Sequence, residues 1–330
     1  MTLIRPLAAG DVAECVSFGL QAFRPVFASM EQRYGKDLFD RLRPAWESAQ
    51  ATLIESLLAD RDRKTWVAER AGVLSGFVVV KTDDATGLGD IDVVAVRPGE
   101  QRSGIGSRLV EVSLDWLRRA GTAYVQAFIR DFPGHEPIRH ALEAAGFASR
   151  TVQPMLLYTT LASRRWRVEP TAGIRPSTDA DVAECARFGL EAFRPVYAAW
   201  QRLYGDDLFH RLEPDWEQAQ AAYIRSAITR VDAETWVFET AGRATGFLVL
   251  TMDDQQLGEI ELLAVDPEIQ GHGVATALNQ HALERCREAA MAYVIVATAT
   301  DPGHAPARRS YEKEGFRPMP IQWNLLVAKL

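Results

Sequence analysis

The residues best suited to chemistry in this sequence are two closely spaced glycines, Gly104 and Gly106, which follow a run of apolar residues at 93–96. The run predicts a strand, and apolar residues at helical spacing after Gly104 predict a helix. The first N–H groups of a helix lack intrahelical partners, and the helix dipole adds positive potential there. Because glycine has no Cβ, an anion can approach this backbone closely. The stretch therefore predicts an anion-binding loop.

The same arrangement recurs 169 residues later, where the spacing of Gln101, Gly104 and Gly106 returns as Gln-x-x-Gly-x-Ala. Both copies follow an apolar run and a Val-x-Pro turn. This pattern resembles the pyrophosphate-binding motif of the GCN5-related N-acetyltransferase (GNAT) superfamily, whose members bind acetyl-CoA. The resemblance implies the following acetyl-CoA-binding residues: Leu263, Ala264, Val265, Gln270, Gly271, His272, Gly273, Val274, Ala275, Thr276, His304 and Ala307 in the second half, and Val94, Val96, Gln101, Arg102, Ser103, Gly104, Ile105 and Gly106 in the first.

An internal duplication determines the elements that position these loops. Residues 11–25 match residues 181–195 at twelve of fifteen positions, and the correspondence continues at an offset of 170 and then 169 residues. A period this long indicates a duplicated domain rather than a solenoid unit. Each half predicts a strand, two helices, three strands, a helix, a strand, a helix and a strand, which is the order of a GNAT domain.

We therefore expect an α/β (α+β) fold with two tandem GNAT domains, each a mixed, mostly antiparallel twisted sheet flanked by helices. The expected domains are residues 1–161 and 173–330, joined by a linker at 162–172. Each sheet is expected to splay between its fourth and fifth strands. A last strand, at 155–160 or 323–327, is expected to close its own domain.

Composition narrows the possible partners. A net charge of −7 and a pI near 5.5 argue against nucleic acid, which calls for a basic face. No apolar run reaches the length of a membrane span, and the start predicts no signal peptide. The three cysteines and the remaining His, Asp and Glu show no metal-like spacing, so we expect no metal and a cytoplasmic protein, monomeric or homodimeric.

Acetyl transfer to an amine requires a base for the ammonium, whose pKa is about 10.4 if lysine-like, and it benefits from an acid for the departing thiolate. Glu259 and Glu261 lie two residues apart on a predicted strand and so share a face. The resemblance implies that Glu259 is the base, with Glu261 as the second candidate. It implies that the acid is Tyr311, in a segment similar to the family signature Ala-x-x-x-Tyr-Glu-Lys-x-Gly-Phe. Solvated strand carboxylates and a tyrosine packed on the sheet are the alternatives.

The first half departs from the family pattern at these positions. Leu142 stands where Tyr311 does, and the carboxylates become Asp90 and Asp92. Leucine cannot donate a proton. We therefore expect the second half to be catalytic and the first half to be degenerate, binding acetyl-CoA without turnover or serving as structure. Catalysis in the first half is the alternative, because its loop keeps the more orthodox Gly-x-Gly.

The acceptor is the least determined part of the prediction. The resemblance places its site at the first helices of each half, where aromatic and acidic side chains suit a cationic amine, although core packing explains each one equally well. We expect an acetyl-CoA-dependent N-acetyltransferase acting on a primary amine of a small molecule or peptide, or alternatively a non-catalytic acyl-CoA-binding protein. The candidate acceptor residues are Phe193, Tyr197, Trp200, Tyr204, Asp215 and Trp216 with Phe23, Phe27, Tyr34 and Trp46 in the first half.

Overall fold

The structure is a computed structural model that describes residues 2–149, 154–161 and 173–330. The chain divides into two units. The first consists of Met1–Thr151 with Ile321–Leu330, and the second of Val152–Pro320. The predicted linker at 162–172 lies outside the described residues.

The two halves of the sequence form closely similar elements in the same order, with three helices after the first strand of each half where the sequence predicted two. The elements up to residue 149 are β1 (Thr2–Pro6), α1 (Val12–Tyr34), α2 (Lys36–Leu42), α3 (Trp46–Ala59), β2 (Lys64–Arg70), β3 (Val73–Asp83), β4 (Leu88–Val96), α4 (Ile105–Arg119), β5 (Tyr124–Arg130), α5 (Glu136–Ala144) and β6 (Ala148–Ser149). Those that follow are β7 (Pro154–Thr160), β8 (Ile174–Pro176), α6 (Val182–Tyr204), α7 (Asp206–Leu212), α8 (Trp216–Ile228), β9 (Ala233–Thr240), β10 (Arg243–Met252), β11 (Leu257–Val265), α9 (Val274–Glu288), β12 (Tyr293–Ala299), α10 (Ala305–Lys313) and β13 (Arg317–Lys329).

Each unit contains one mixed, mostly antiparallel sheet. In the first unit the strands lie in the order β1-β2-β3-β4-β5-β13, with β6 also pairing with β13. In the second unit the order is β8-β9-β10-β11-β12-β7. The described parallel pairs are β4 with β5 and β11 with β12. This architecture confirms the expected fold class of two tandem GNAT domains.

The last strand of each half lies in the other unit, which corrects the prediction that each closes its own domain. Leu157 of β7 pairs with Val296 of β12, and Leu326 of β13 pairs with Ala127 of β5. These two pairings are equivalent under the 169-residue repeat. Because the two last strands carry similar apolar patterns, either strand satisfies the backbone groups of either neighbour.

Local signals explain the hairpins and the two core layers of each unit. The turn between β2 and β3 has Ala71 and Gly72 at φ angles of 51° and 78°, the turn type that matches strand twist. Helices α1 and α3 pack on one face of the first sheet, and α4 and α5 pack on the other. The second unit repeats this layering with α6 and α8 opposite α9 and α10.

The three cysteines are buried in these cores, and burial raises the pKa of each thiol to about 12. Within the described ranges, no helix has the length and apolarity needed to cross a membrane. The same ranges hold no group of three or more His, Cys, Asp or Glu side chains suited to a metal ion.

Candidate active site

A β-bulge at Glu261 decides which way the side chains of β11 point. The register of β11 against β10 shifts by one residue between Ile260 and Leu262. Such a bulge breaks the alternation of a strand. Ile260 therefore packs with α9 and α10, whereas Leu262, two residues later, packs with α6 and α8. Glu259, adjacent to Ile260, faces the side of α6 and α8, and so does Glu261.

The sheet opens beside these carboxylates. The parallel ladder between β11 and β12 covers residues 257–260, and in the first unit the ladder between β4 and β5 covers residues 88–90. Beyond these points the two strands of each pair separate. The gap gives a ligand access to the backbone N–H and C=O groups on the facing strand edges.

The two glutamates of β11 have different surroundings. Glu261 accepts hydrogen bonds from the Tyr223 hydroxyl at 3.1 Å and from Arg230 Nη1 at 2.6 Å. The Glu259 carboxylate makes no hydrogen bond to any described residue, and burial, followed by the charge of Glu261, raises its pKa above the usual range. A carboxylate with a raised pKa and unshared lone pairs is suited to accept a proton.

Tyr311 lies on the opposite side of the second sheet from Glu259. Its side chain is buried among the residues that α9 and α10 place against Ile260, with its ring 5.6 Å from that of Phe316. Burial raises the pKa of the phenol, and the hydroxyl makes no hydrogen bond within the described part of the chain. In the first unit the equivalent Leu142 is buried in the same way.

The carboxylates of the first unit are already engaged. Gln126 Nε2 donates to Asp90 Oδ1 at 2.6 Å, and Lys81 Nζ lies 3.6 Å from the other oxygen. Asp92 accepts a hydrogen bond from Arg63 Nε at 2.9 Å. These cations and donors leave the aspartates poorly placed to act as a base.

The two glycine loops have the geometry of anion cradles. Gly104 and Gly273 immediately precede α4 and α9 with φ angles of 82° and 85°, a left-handed conformation that favours glycine. A Cβ added at either residue would meet no atom within 4 Å, so it would project into open space at the helix start. The side chains of Gln101 and Gln270 donate to the carbonyls of the last strand residues at 3.3 and 3.1 Å and fix the loops. Both loops therefore fit a pyrophosphate.

The second glycine of the motif is less demanding. A Cβ on Gly106 would lie 3.7 Å from Val96, an ordinary contact. This explains why the second unit accommodates Ala275 at the equivalent position.

The other predicted cofactor residues differ in what they can offer. Ile105 and Val274 are buried in the cores, so only their backbone groups are available to a ligand. The His272 ring nitrogen Nδ1 lies 3.1 Å from the carbonyl of Ile269. Three groups complete the set: the buried Ala264 and Val265; the half-buried Leu263, Thr276, Ala307, Val94 and Val96; and the exposed Arg102, Ser103 and Gly271.

A cavity of about 460 Å³ lies against the loop of the first unit. His135 lines it and is largely buried, and burial lowers the pKa of its imidazole to about 4. The Nδ1 atom lies 3.1 Å from the Arg130 carbonyl. The sequence pattern missed much of this wall, which includes Ala22, Val26, Gly134, Glu136, Pro137, Ile138 and His140.

The second unit gathers aromatic and acidic side chains near α6. The Tyr197 ring stacks on Trp216 with centroids 4.0 Å apart, and Trp200 Nε1 lies 3.4 Å from an Asp301 oxygen. His304 Nδ1 lies 2.5 Å from the same oxygen. Burial opposes ionisation, but these donors hold the pKa of Asp301 below its usual range.

A second carboxylate completes this group, which we call the acidic cluster: Tyr197, Trp200, Tyr204, Glu213, Trp216 and Asp301. Burial raises the pKa of Glu213, and burial together with the charges of Glu213 and Asp301 raises that of Tyr204 to about 12. Glu213 and Asp301 were not among the predicted acceptor residues. Of those that were, Asp215 is exposed, and Phe193 is half-buried and packs against the core.

The first unit replaces the two carboxylates by a cation and an apolar ring at the equivalent positions. Arg43 stands in place of Glu213, and Phe132 in place of Asp301. Arg130 is half-buried nearby, and burial, then the charge of Arg43, lowers the pKa of its guanidinium to about 10. The two units therefore offer different charge to an acceptor.

A splayed mixed sheet with a glycine cradle before a helix, present twice, is typical of an acetyltransferase of tandem architecture. The model of the acetyltransferase (GNAT) family matches residues 29–147 and 197–316, and the chain belongs to this family.

Relatives and solved structures agree with this assignment. The chain is 26% identical to a mycothiol acetyltransferase of Acidothermus cellulolyticus over 76% of this chain and 75% of the relative. It is 27% identical to that of Nocardia farcinica over 84% and 86%. In fold it is similar to a tandem GNAT protein from the clavulanic acid biosynthesis pathway, with a TM-score of 0.56, 18% identity and coverage of 100% and 98%. It is also similar to a GCN5-related N-acetyltransferase from Sphaerobacter thermophilus, with a TM-score of 0.58, 16% identity and coverage of 99% and 95%.

Proposed function

We propose that this chain transfers the acetyl group of acetyl-CoA to a primary amine of a small molecule or peptide by direct attack, and that the second unit carries the chemistry. The observation that carries the proposal is the placement of Glu259 and Tyr311 on opposite faces of one sheet, beside the gap between β11 and β12. An amine that enters from the side of α6 and α8 meets the base. A thiolate that leaves on the side of α9 and α10 meets the acid.

Glu259 serves as the base in this proposal. A lysine-like ammonium, with a pKa of about 10.4, must lose a proton before its nitrogen can attack the thioester carbonyl. The raised pKa of Glu259, and the absence of any hydrogen bond from the described residues to its carboxylate, support this role. Glu261 is less suited because Arg230 and Tyr223 already hold its oxygens.

Tyr311 serves as the acid. As the C–N bond forms and the C–S bond breaks, the sulfur keeps the electron pair, and Tyr311 donates its phenolic proton to it. Backbone N–H groups at the separated strand edges are suited to stabilise the oxyanion between these two events. The nitrogen loses two protons in all, one before the attack and one as the tetrahedral intermediate collapses. One is released to water through Glu259 and the other replaces the proton that Tyr311 gave to the sulfur, so the products are the amide, CoA with a free thiol, and one proton.

Both units are proposed to bind acetyl-CoA, but only the second turns it over. The loop at residues 270–275 would hold the pyrophosphate in the second unit, and the loop at residues 101–106, beside the cavity, would do so in the first. Leu142 and the engaged Asp90 and Asp92 support a first unit that binds without turnover.

The acceptor is proposed to be a cationic small molecule. The Asp301 carboxylate, whose pKa is lowered, gives the acidic cluster a negative charge that attracts an ammonium, and the aromatic rings of the cluster suit cation–π contact. The relatives are mycothiol acetyltransferases. Their name supports a small-molecule amine as the acceptor class.

An amine panel tests this function. Release of CoA thiol is measured with acetyl-CoA and, in turn, glucosamine, spermidine, lysine and a tripeptide with a free N-terminus. We expect turnover with at least one amine and isothermal titration of acetyl-CoA to show two sites per chain. Binding of acetyl-CoA without thiol release from any amine would favour the alternative, a non-catalytic acyl-CoA-binding protein.

A further inference from the structure

The helix that carries Tyr311 is tied to α9 by two side-chain hydrogen bonds. Asn279 Nδ2 donates to Ser310 Oγ at 2.9 Å, and Gln280 Nε2 donates to Glu314 Oε1 at 3.2 Å. Both bonds run from α9 to the segment that follows the start of α10. Their acceptors stand one residue before Tyr311 and three residues after it, so they bracket the phenol.

The first unit cannot form either bond. At the positions equivalent to Asn279, Ser310 and Glu314 it carries Val110, Ala141 and Ala145. The repeat therefore exchanges polar for apolar residues at the same three places, in the unit that also replaces Tyr311 by leucine. The two hydrogen bonds therefore occur in the unit that has the tyrosine and are absent from the unit that has leucine in its place.

The hydrogen bond between Asn279 and Ser310 is not the arrangement that packing alone favours. Asn279 has no exposed surface, and its Oδ1 atom has no hydrogen-bond partner among the described residues. A buried amide oxygen without a partner destabilises the folded state. A valine, as at Val110, would occupy a similar volume without this cost. The presence of asparagine calls for a reason other than stability.

We propose that Asn279 and Ser310 are positioning residues that fix the rotation of α10 on α9 and thereby the place of the Tyr311 hydroxyl. This inference rests on the proposed function of Tyr311 as the acid. A helix of nine residues is held mainly by its tertiary contacts. Apolar contacts allow such a helix to turn or slide slightly, whereas a hydrogen bond is directional and fixes one register.

The test gives the second unit the pair found in the first, Asn279→Val with Ser310→Ala. We expect the midpoint of thermal unfolding to stay the same or rise and the acetyl-CoA affinity to stay within about twofold. We expect kcat with the fastest amine of the panel to fall about 10- to 100-fold, as a displaced acid would cause. In a Tyr311→Phe background the same pair should cause no further fall in kcat. Glu314→Ala, which removes the hydrogen bond from Gln280, should also lower kcat.

Three outcomes would overturn the inference. If the pair variant keeps full kcat, the tie does not position the acid. If the pair lowers kcat by the same factor with Tyr311 or Phe at position 311, the tie is merely structural. If Tyr311→Phe alone keeps full activity, the proposed acid is wrong, and the positioning role falls with it. Should the pair variant fail to fold, Ser310→Ala alone removes the hydrogen bond with a smaller change. Its kcat, measured with Tyr311 and with Phe at position 311, then supports or overturns the inference by the same criteria.

Discussion

Glu259 on β11 and Tyr311 on α10 lie on opposite faces of the sheet of the second unit, beside the gap between β11 and β12. Ile260 defines this geometry because it packs with Tyr311 while its strand neighbour Glu259 faces the other way. A reaction centre in the gap, as proposed, would have a proton acceptor on one side and a proton donor on the other. Removal of a proton from the amine and donation of a proton to the thiolate would then be carried out by two different residues.

A change of Glu259 to glutamine tests the base. Because the pKa of Glu259 is raised, kcat/KM of the unaltered protein should fall as the pH drops through a value above the usual 4.3 of glutamate. Glu259→Gln should lower the rate at neutral pH by about 10²- to 10⁴-fold. The deficit should shrink at high pH, where the amine deprotonates unaided. Glu261→Gln is the control and should have a smaller effect, whereas a deficit independent of pH would argue against a base.

Tryptophan in the two glycine loops separates binding from turnover. Gly104→Trp should reduce the acetyl-CoA sites from two to one and leave kcat nearly unchanged. Gly273→Trp should abolish turnover, since each side chain would occupy the open space at the helix start where we propose that a phosphate binds. Isothermal titration and thiol release measure both quantities. Gly242→Trp, at a similar φ of 78° in a hairpin turn, controls for backbone strain. Loss of turnover in Gly104→Trp alone would move the chemistry to the first unit.

His135 predicts a loss of stability in mild acid. The folded protein keeps this imidazole neutral with a pKa of about 4, whereas the unfolded chain protonates it near 6.5. Protons therefore favour the unfolded state as the pH falls from about 6.5 to about 4. Urea unfolding should show a contribution from this residue of at most about 2 kcal/mol between pH 7 and pH 5. His135→Gln should remove that contribution, and His210→Gln, at an exposed site, should not; equal pH dependence in the two variants would contradict the assignment.

Removal of residues 321–330 tests the placement of the last strands. The deletion takes β13 away from β5 in the first unit, so amide hydrogen exchange in β5 should accelerate. The amides of β12 should stay protected because β7 still pairs with them. The reverse pattern, with β12 exposed and β5 protected, would show that each half keeps its own last strand.

Local sequence signals predicted much of the fold. The Ala71-Gly72 turn, the glycines before α4 and α9, and the order of the strands follow from residues close together in sequence, whereas the two helices predicted after the first strand are three in each half. Because the sequence is duplicated, each of these predictions applies to both halves of the chain. The separation of the fourth and fifth strands came from the family resemblance, and the short parallel ladders agree with it.

Features that depend on distant partners could not be predicted. Leu157 and Leu326 fit either neighbouring strand because the halves are copies, so the pattern does not tell which strand pairs where. The bulge at Glu261 leaves no mark in the alternation of residue types. Asp301 is joined to Trp200, 101 residues away, and only the folded chain shows that they meet.

The most direct test of the central claim is kcat for Tyr311→Phe under saturating acetyl-CoA. The variant removes one hydroxyl from a buried ring, so acetyl-CoA affinity and the fold should stay nearly unchanged. If the second unit carries the chemistry with Tyr311 as its acid, kcat should fall by about 10- to 10⁴-fold. A kcat equal to that of the unaltered protein would contradict this account.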